Sequence, residues 1–158
     1  MWGNLLETIP ESGTLETCLR VNCHQSDWQN RKSWHDAQAA CEAENGWLAI
    51  QKYPSLDAEI LQKSGNRETW IGATDQAVEG VWMDSRGRPV TFTDWWNYGG
   101  ALYEPDNQGG NQDCVSVDHL AIGLLEGSWF HASRWRDQDC ADQLICYACQ
   151  KGNNLRPK

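Results

Sequence analysis

The chain has 158 residues, 40% of them apolar and 22% charged, with a net charge of −9. That length suits one domain with a real core, and that composition excludes a disordered chain. The acidic balance and the lack of a basic patch argue against nucleic acid or an anionic membrane as partner, and they suit a cation.

No run is long and apolar enough to insert into a bilayer. Residues 1–30 lack a secretory apolar stretch, so a secreted form is expected to be the mature one. Seven cysteines stand at 18, 23, 41, 114, 140, 146 and 149. Cys146-Tyr147-Ala148-Cys149 is a solitary Cys-x-x-Cys pair, and the four histidines are scattered. Zinc is a poor fit; disulfides in an oxidising compartment fit better and predict a secreted or extracellular protein. The odd count leaves one thiol over.

Residues 1–22 read as a tail or short hairpin ending in Cys18-Leu19-Arg20-Val21-Asn22-Cys23. Ser33 and Asp36 resemble a capping box. They predict a helix to about Asn45, stopped by Gly46, with Trp34, Ala37, Ala40 and Cys41 on its core face. Trp47–Ile50 reads as a short strand. Pro54 starts a second helix to about Lys63, with Leu56, Ile60 and Leu61 inward. From Thr69 the texture changes to short strands at Trp70–Gly72, Val81–Met83, Val90–Thr93, Cys114–Val117, Gly127–Phe130 and Leu144–Tyr147. Ser85–Pro89 is a turn, and residues from Lys151 form a flexible tail. A long loop spans about 95–113; loops of that length in a compact domain are usually functional.

That loop contains Glu104-Pro105-Asp106-Asn107-Gln108-Gly109-Gly110-Asn111-Gln112-Asp113-Cys114. Its carboxylates and amide oxygens are the hard donors that calcium prefers. Pro105 and the glycine pair allow the chain to fold back so that these oxygens converge. A solvated acidic turn is the plainer alternative.

In their order and cysteine positions these residues resemble the C-type lectin-like domain, from about Cys23 to Cys149. The parts are the helix ending Ala39-Ala40-Cys41, then Trp70-Ile71-Gly72, Glu79-Gly80-Val81-Trp82, Glu104-Pro105-Asp106, Asp113-Cys114-Val115, Trp135-Arg136-Asp137 with Cys140, and Ile145-Cys146. The resemblance implies an α+β fold, with two helices on antiparallel sheets and a long upper loop. It divides the chain into a tail or hairpin (1–22), the lectin-like domain (23–150) and a flexible tail (151–158). It also implies disulfides Cys41–Cys146 and Cys114–Cys140, each worth ~3–5 kcal/mol in the chain-entropy model. Cys18–Cys23 is the choice for a third, with Cys149 left to link two chains as a homodimer. The rival is a bond from Cys18 or Cys23 to Cys149.

The family's sugar-binding Ca2+ site falls on Glu104, Asp106, Gln112, Arg136 and Asp137. Gln112 stands where an acid is usual and Arg136 where an amide is usual, and a guanidinium has no lone pair for a metal. A second, structural calcium site falls on Asp75, Glu79, Asn107 and Asp113. Candidate sugar-packing aromatics are Trp95, Trp96, Tyr98, Tyr103 and Trp129. The expected function is a calcium-dependent lectin that binds the glycans of a carbohydrate partner. The alternative is a lectin-like module binding protein, or sugar without calcium. Arg136 and two apparent insertions, Asn97–Tyr103 and about His119–His131, favour that alternative. No nucleophile–base pairing is visible among Ser, Cys and His, so the chain is not expected to be an enzyme.

Overall fold

The computed structural model describes residues 3–8, 14–24, 28–52, 54–97, 103–125 and 128–152. Helix α1 spans Trp34–Ala43 and opens as its sequence predicts: the Ser33 hydroxyl oxygen accepts the Asp36 backbone N–H at 3.1 Å. Trp34, Ala37 and Cys41 form its buried face, and Gln38 joins them. The Gln38 side-chain oxygen accepts the Leu48 N–H (3.0 Å), tying the helix to the chain that follows. The helix stop differs from expectation. Asn45, not Gly46, adopts the left-handed conformation, at φ 60°. The Asn45 and Gly46 N–H groups donate to Glu42 and Cys41 carbonyls, each at 2.9 Å, which is the Schellman arrangement. Gly46 is needed for space, since a Cβ there would stand 2.6 Å from the Gln150 carbonyl oxygen.

Helix α2 spans Pro54–Ser64, with proline at its first position, where the missing N–H costs nothing. Leu56, Ile60 and Leu61 are buried as the spacing predicts. Asp57 is buried with them.

The strands are β1 (Gly3–Thr8), β2 (Thr14–Cys23), β3 (Trp47–Leu48), β4 (Thr69–Thr74), β5 (Met83–Asp84), β6 (Cys114–Leu125), β7 (Ser128–Gln138) and β8 (Cys146–Gly152). They form one sheet in the order β1-β2-β8-β4-β6-β7, with β3 on β8 and β5 on β4. The β4–β8 pair is parallel, so the expected antiparallel sheets are a single mixed one. One core layer gathers Leu56, Ile60, Ile71, Val115, Val117 and Trp135. The other gathers Trp34, Cys41, Leu48, Trp70 and Cys149. Both indoles of this second layer find acceptors: Trp34 Nε1–H donates to the Ile71 carbonyl (2.8 Å) and Trp70 Nε1–H to the Lys32 carbonyl (2.9 Å).

Several elements depart from the sequence reading. The expected strand Val90–Thr93 does not form; Val90 N–H donates to the Trp82 carbonyl (3.0 Å) and a lone Met83–Pro89 bridge marks the turn. Strands β6 and β7 run much further than expected, pairing His119 with Ser133 and on to Leu125 with Ser128. The apparent insertion at His119–His131 is therefore a ribbon that prolongs this hairpin. Its Ile, Trp and Phe suit extended chain. The other insertion closes through an Asn97–Tyr103 bridge, and residues 98–102 lie outside the described residues. In the region read as a tail or hairpin, β1 pairs with β2, and β2 continues onto β8 as part of the main sheet. Lys151 and Gly152 complete β8; the rest of the expected tail lies outside the described residues.

The disulfides are Cys23–Cys146, Cys41–Cys149 and Cys114–Cys140. Cys114–Cys140 is as expected. Cys41–Cys146 and Cys18–Cys23 are not formed, and Cys149 is not the odd cysteine, so no dimer forms through it. Strand alternation gives the reason. Cys146 and Cys149 are three apart on β8 and face opposite sides of the sheet. Cys149 faces α1 and Cys41. Cys146 stands directly opposite Cys23 on β2. Cys18 and Cys23 are five apart on one extended strand, too far and on opposite faces. Cys18 stands outside the three bonds, opposite Lys151. Peptide mapping without reduction is expected to recover the three linked pairs; a Cys41–Cys146 peptide would overturn the assignment.

Candidate functional site

Residues 104–113 are folded by their own polar groups. The Glu104–Pro105 peptide is cis, and Asn107, Gly109 and Gly110 all have positive φ (44°, 80° and 75°). Glycine takes that conformation freely. The Gln108 N–H donates to Gln112 Oε1 (2.7 Å) and the Gln112 N–H to Asn107 Oδ1 (3.2 Å). Asn111 Nδ2 donates to Asp139 Oδ2. The anchor is Asp137, on β7 and fully buried: its two oxygens accept the N–H groups of Asp106 (3.1 Å) and Asn107 (2.8 Å). Each oxygen keeps a lone pair for something else.

This folding brings Glu104, Asp106 and Asp137 together, with one carboxylate oxygen of each within 4.8 Å of the others. The buried Glu104 Oε2 has no hydrogen-bond partner. Three converging acids and an unpartnered oxygen fit a hard divalent cation. Without one, burial and the Asp137 and Asp106 carboxylates push Glu104 up to about 8, while Arg136 opposes the rise. The other two expected residues of the set have different surroundings. Gln112 braces the loop with its side-chain oxygen. Arg136 supplies a positive charge where the family has a metal ligand: its Nε lies 3.5 Å from Glu104 Oε1 and its Nη1 3.4 Å from Asp118 Oδ2.

The second expected set is looser. Among the described residues, Asp75, Glu79 and Asp113 do not meet at the spacing of the first group. Asp75 is nonetheless buried, and its Oδ2 accepts the Gly80 N–H (2.8 Å) while its Oδ1 has no partner. Burial, then Glu79 and Asp113, raise its pKa. The Asp75 backbone N–H donates to the Asp113 carbonyl (3.0 Å), joining this turn to the loop.

Of the aromatic candidates, Trp95 belongs to the core, its ring 5.5 Å from that of Trp135. Trp96 is buried beneath the Arg136 guanidinium, 5.7 Å from the ring centroid. Tyr103 is exposed beside Glu104. Tyr98 and the Trp129 side chain lie outside the described residues.

Sequence reasoning missed three acids around this site. Glu68 accepts Ser116 Oγ–H (2.7 Å) and Gln138 Nε2–H (2.8 Å), and burial raises its pKa. Asp118 receives Arg136. Asp57, on α2, has both oxygens facing the Trp135 indole N–H at 3.2 and 3.1 Å. Trp135 in turn bonds the long loop through its backbone, giving its N–H to Asp94 and accepting that of Trp96. Only Asp57 left a signal: it stands three and four residues before Ile60 and Leu61, on the same helical face.

A family profile described as Lectin C-type domain matches residues 30–151. Human asialoglycoprotein receptor 2 is 28% identical over 94% of this chain and 46% of its own length. The chain thus spans about half the length of the curated relatives it matches. Two solved structures share the fold. The mouse scavenger receptor C-type lectin carbohydrate-recognition domain has a TM-score of 0.68 at 22% identity, covering 96% of this chain and 95% of that one. The cow CD23 C-type carbohydrate-recognition domain, solved in the presence of a GlcNAc2Man3 oligosaccharide, has 0.66 at 23%, covering 94% and 98%. With the profile covering the helices, the long loop and all three acids of the cluster, the chain belongs to the C-type lectin family.

Proposed function

We propose that this chain is a calcium-dependent carbohydrate-binding lectin that takes a monosaccharide with vicinal hydroxyls at the 104–137 cluster. The carrying observation is the convergence of Glu104, Asp106 and Asp137 within 4.8 Å, with Glu104 Oε2 unpartnered. Calcium at these acids would offer open positions to two sugar hydroxyls. Asp137 holds the loop backbone in place. Glu104 and Asp106 accept hydroxyl protons. Tyr103 offers an exposed ring face. With acceptors on both sides, the acid–amide order that separates mannose-type from galactose-type ligands in this family is lost. Contact with one sugar is small and wet, so avidity through several sites is expected. Asp75, Glu79, Asn107 and Asp113 are proposed as a second, structural calcium site, supported by the buried, unpartnered Asp75 Oδ1.

Three disulfides support an extracellular location, and no helix of the described residues is long and apolar enough to cross a membrane. We read the domain as non-catalytic. A second reading, sugar or protein binding without calcium, is favoured by the Arg136–Glu104 ion pair. A glycan array with and without chelator separates the two. Binding lost in chelator is expected. Equal binding in both would assign recognition to the protein surface alone, and binding to no glycan would favour a protein ligand.

A further inference from the structure

We propose that Arg136 is a built-in competitor for the cation at Glu104, and that Asp118 is the acceptor onto which it withdraws when metal binds. The inference rests on the calcium reading of the cluster and adds a residue pair that sets its affinity.

The guanidinium is shared between two acids and tightly held by neither. Its 3.5 Å and 3.4 Å contacts with Glu104 and Asp118 lie at the outer limit for N–H···O bonding. Ser116 is the cross-strand partner of Arg136, so Asp118, two residues on, is its diagonal neighbour on the same face of the β6–β7 ribbon. Withdrawal onto Asp118 therefore needs side-chain rotation and no backbone shift. Glu68 and the orientation of Asp118 itself favour that side, while Trp96 supports the guanidinium from below. Glu68 adds attraction for the guanidinium. The Trp96 ring lies beneath it at 5.7 Å, inside the cation–π range. Asp118 Oδ1 is already oriented by the His119 N–H (2.7 Å).

Competition follows from charge. Glu104 cannot serve a divalent cation and a guanidinium equally, because the two cations repel at a few ångströms. In the metal-free protein with Glu104 ionised, Arg136 offsets the mutual repulsion of Glu104, Asp106 and Asp137, so the loop keeps its shape. With metal present that service is redundant, and Arg136 lowers affinity unless Asp118 accepts it. The site thus has an internal counter-ion that trades places with calcium.

The test is calorimetric titration of the full chain with calcium, for wild type, Arg136→Gln, Asp118→Asn and the double variant. Arg136→Gln is expected to bind calcium about tenfold or more tightly, yet to melt earlier in chelator. Asp118→Asn is expected to weaken calcium binding, because Arg136 then stays on Glu104. In the double variant that weakening should vanish, since the competitor is gone; such non-additivity marks direct coupling. Arg136→Met keeps the stem over Trp96 and replaces the Gln variant if the latter does not fold. Equal affinity of wild type and Arg136→Gln, or an Asp118→Asn effect that persists without Arg136, overturns the exchange and leaves the metal site standing. Absence of calcium binding at this site in every variant, Arg136→Gln included, overturns the metal reading itself, and the exchange with it.

Discussion

Replacing Asp57 with asparagine is expected to flatten the pH dependence of stability and to stabilise the protein most at alkaline pH. Asp57 is fully buried among Leu56, Ile60 and Leu61. Burial moves its pKa from 3.8 up to about 8; the Trp135 N–H holds the rise back and the Asp94 carboxylate adds to it. Between those two values the folded chain keeps the proton and the unfolded chain has released it. Raising the pH through that window therefore favours unfolding, by up to ~1.4 kcal/mol per pH unit. Above the folded value both states are ionised and the loss is complete; below the unfolded value both are protonated and there is none. Asparagine keeps an oxygen for the Trp135 N–H and never ionises. Its advantage over wild type should grow from near zero at pH 4 to roughly 2–5 kcal/mol at pH 8.5. For a chain of this size that is several degrees of melting temperature. Glu68 and Glu104, also raised, titrate alike in both proteins and cancel in the difference. Parallel stability curves for the two would show that Asp57 does not titrate in this window.

How far such features can be seen in a sequence depends on whether they are local. The α1 cap, its Trp34–Ala37–Cys41 face and the α2 face all follow from spacing within one helix, and all are present. Of the acidic cluster, Glu104 and Asp106 are local to one loop, whereas Asp137 was joined to them only by the family resemblance of the Trp135-Arg136-Asp137 segment. What needed strand register was not legible. Pairing Cys149 with Cys41 requires knowing which face of β8 each cysteine takes, and Cys146 opposes Cys23 only because β2 lies beside β8. Asp118 becomes the partner of Arg136 only through the Ser116–Arg136 pairing on a hairpin longer than its hydrophobic pattern suggests. Val90–Thr93 alternates as a strand would, yet it forms no ladder; the bridge beside it, Met83–Pro89, closes the turn just before it. The bond from the Gln108 N–H to the Gln112 side-chain oxygen, which leaves that oxygen a second lone pair, is likewise displayed by no linear pattern.

The largest functional effect is expected at Asp137. This carboxylate is 1% exposed and serves two tasks at once, accepting the Asp106 and Asn107 N–H groups and presenting oxygens to the cluster. In Asp137→Asn one oxygen becomes an amide NH2 that confronts a backbone donor. One charge-assisted bond is lost outright and the other weakened, at ~1.5–3 kcal/mol each. The loop then loses its anchor, and the cluster loses its most buried acid. Glycan binding in calcium should fall at least ~100-fold, the equivalent of about 2.7 kcal/mol. Hydrogen exchange at the Asp106 and Asn107 amides should quicken in parallel. Asp106→Asn supplies the contrast: it removes a carboxylate from the cluster but leaves both amides on Asp137. It should weaken binding while exchange at those amides stays slow. If Asp137→Asn lost binding with the two amides still protected, the anchoring role would be wrong and only the lost charge would matter. If it bound glycan normally, recognition would have to lie away from the Glu104, Asp106 and Asp137 cluster.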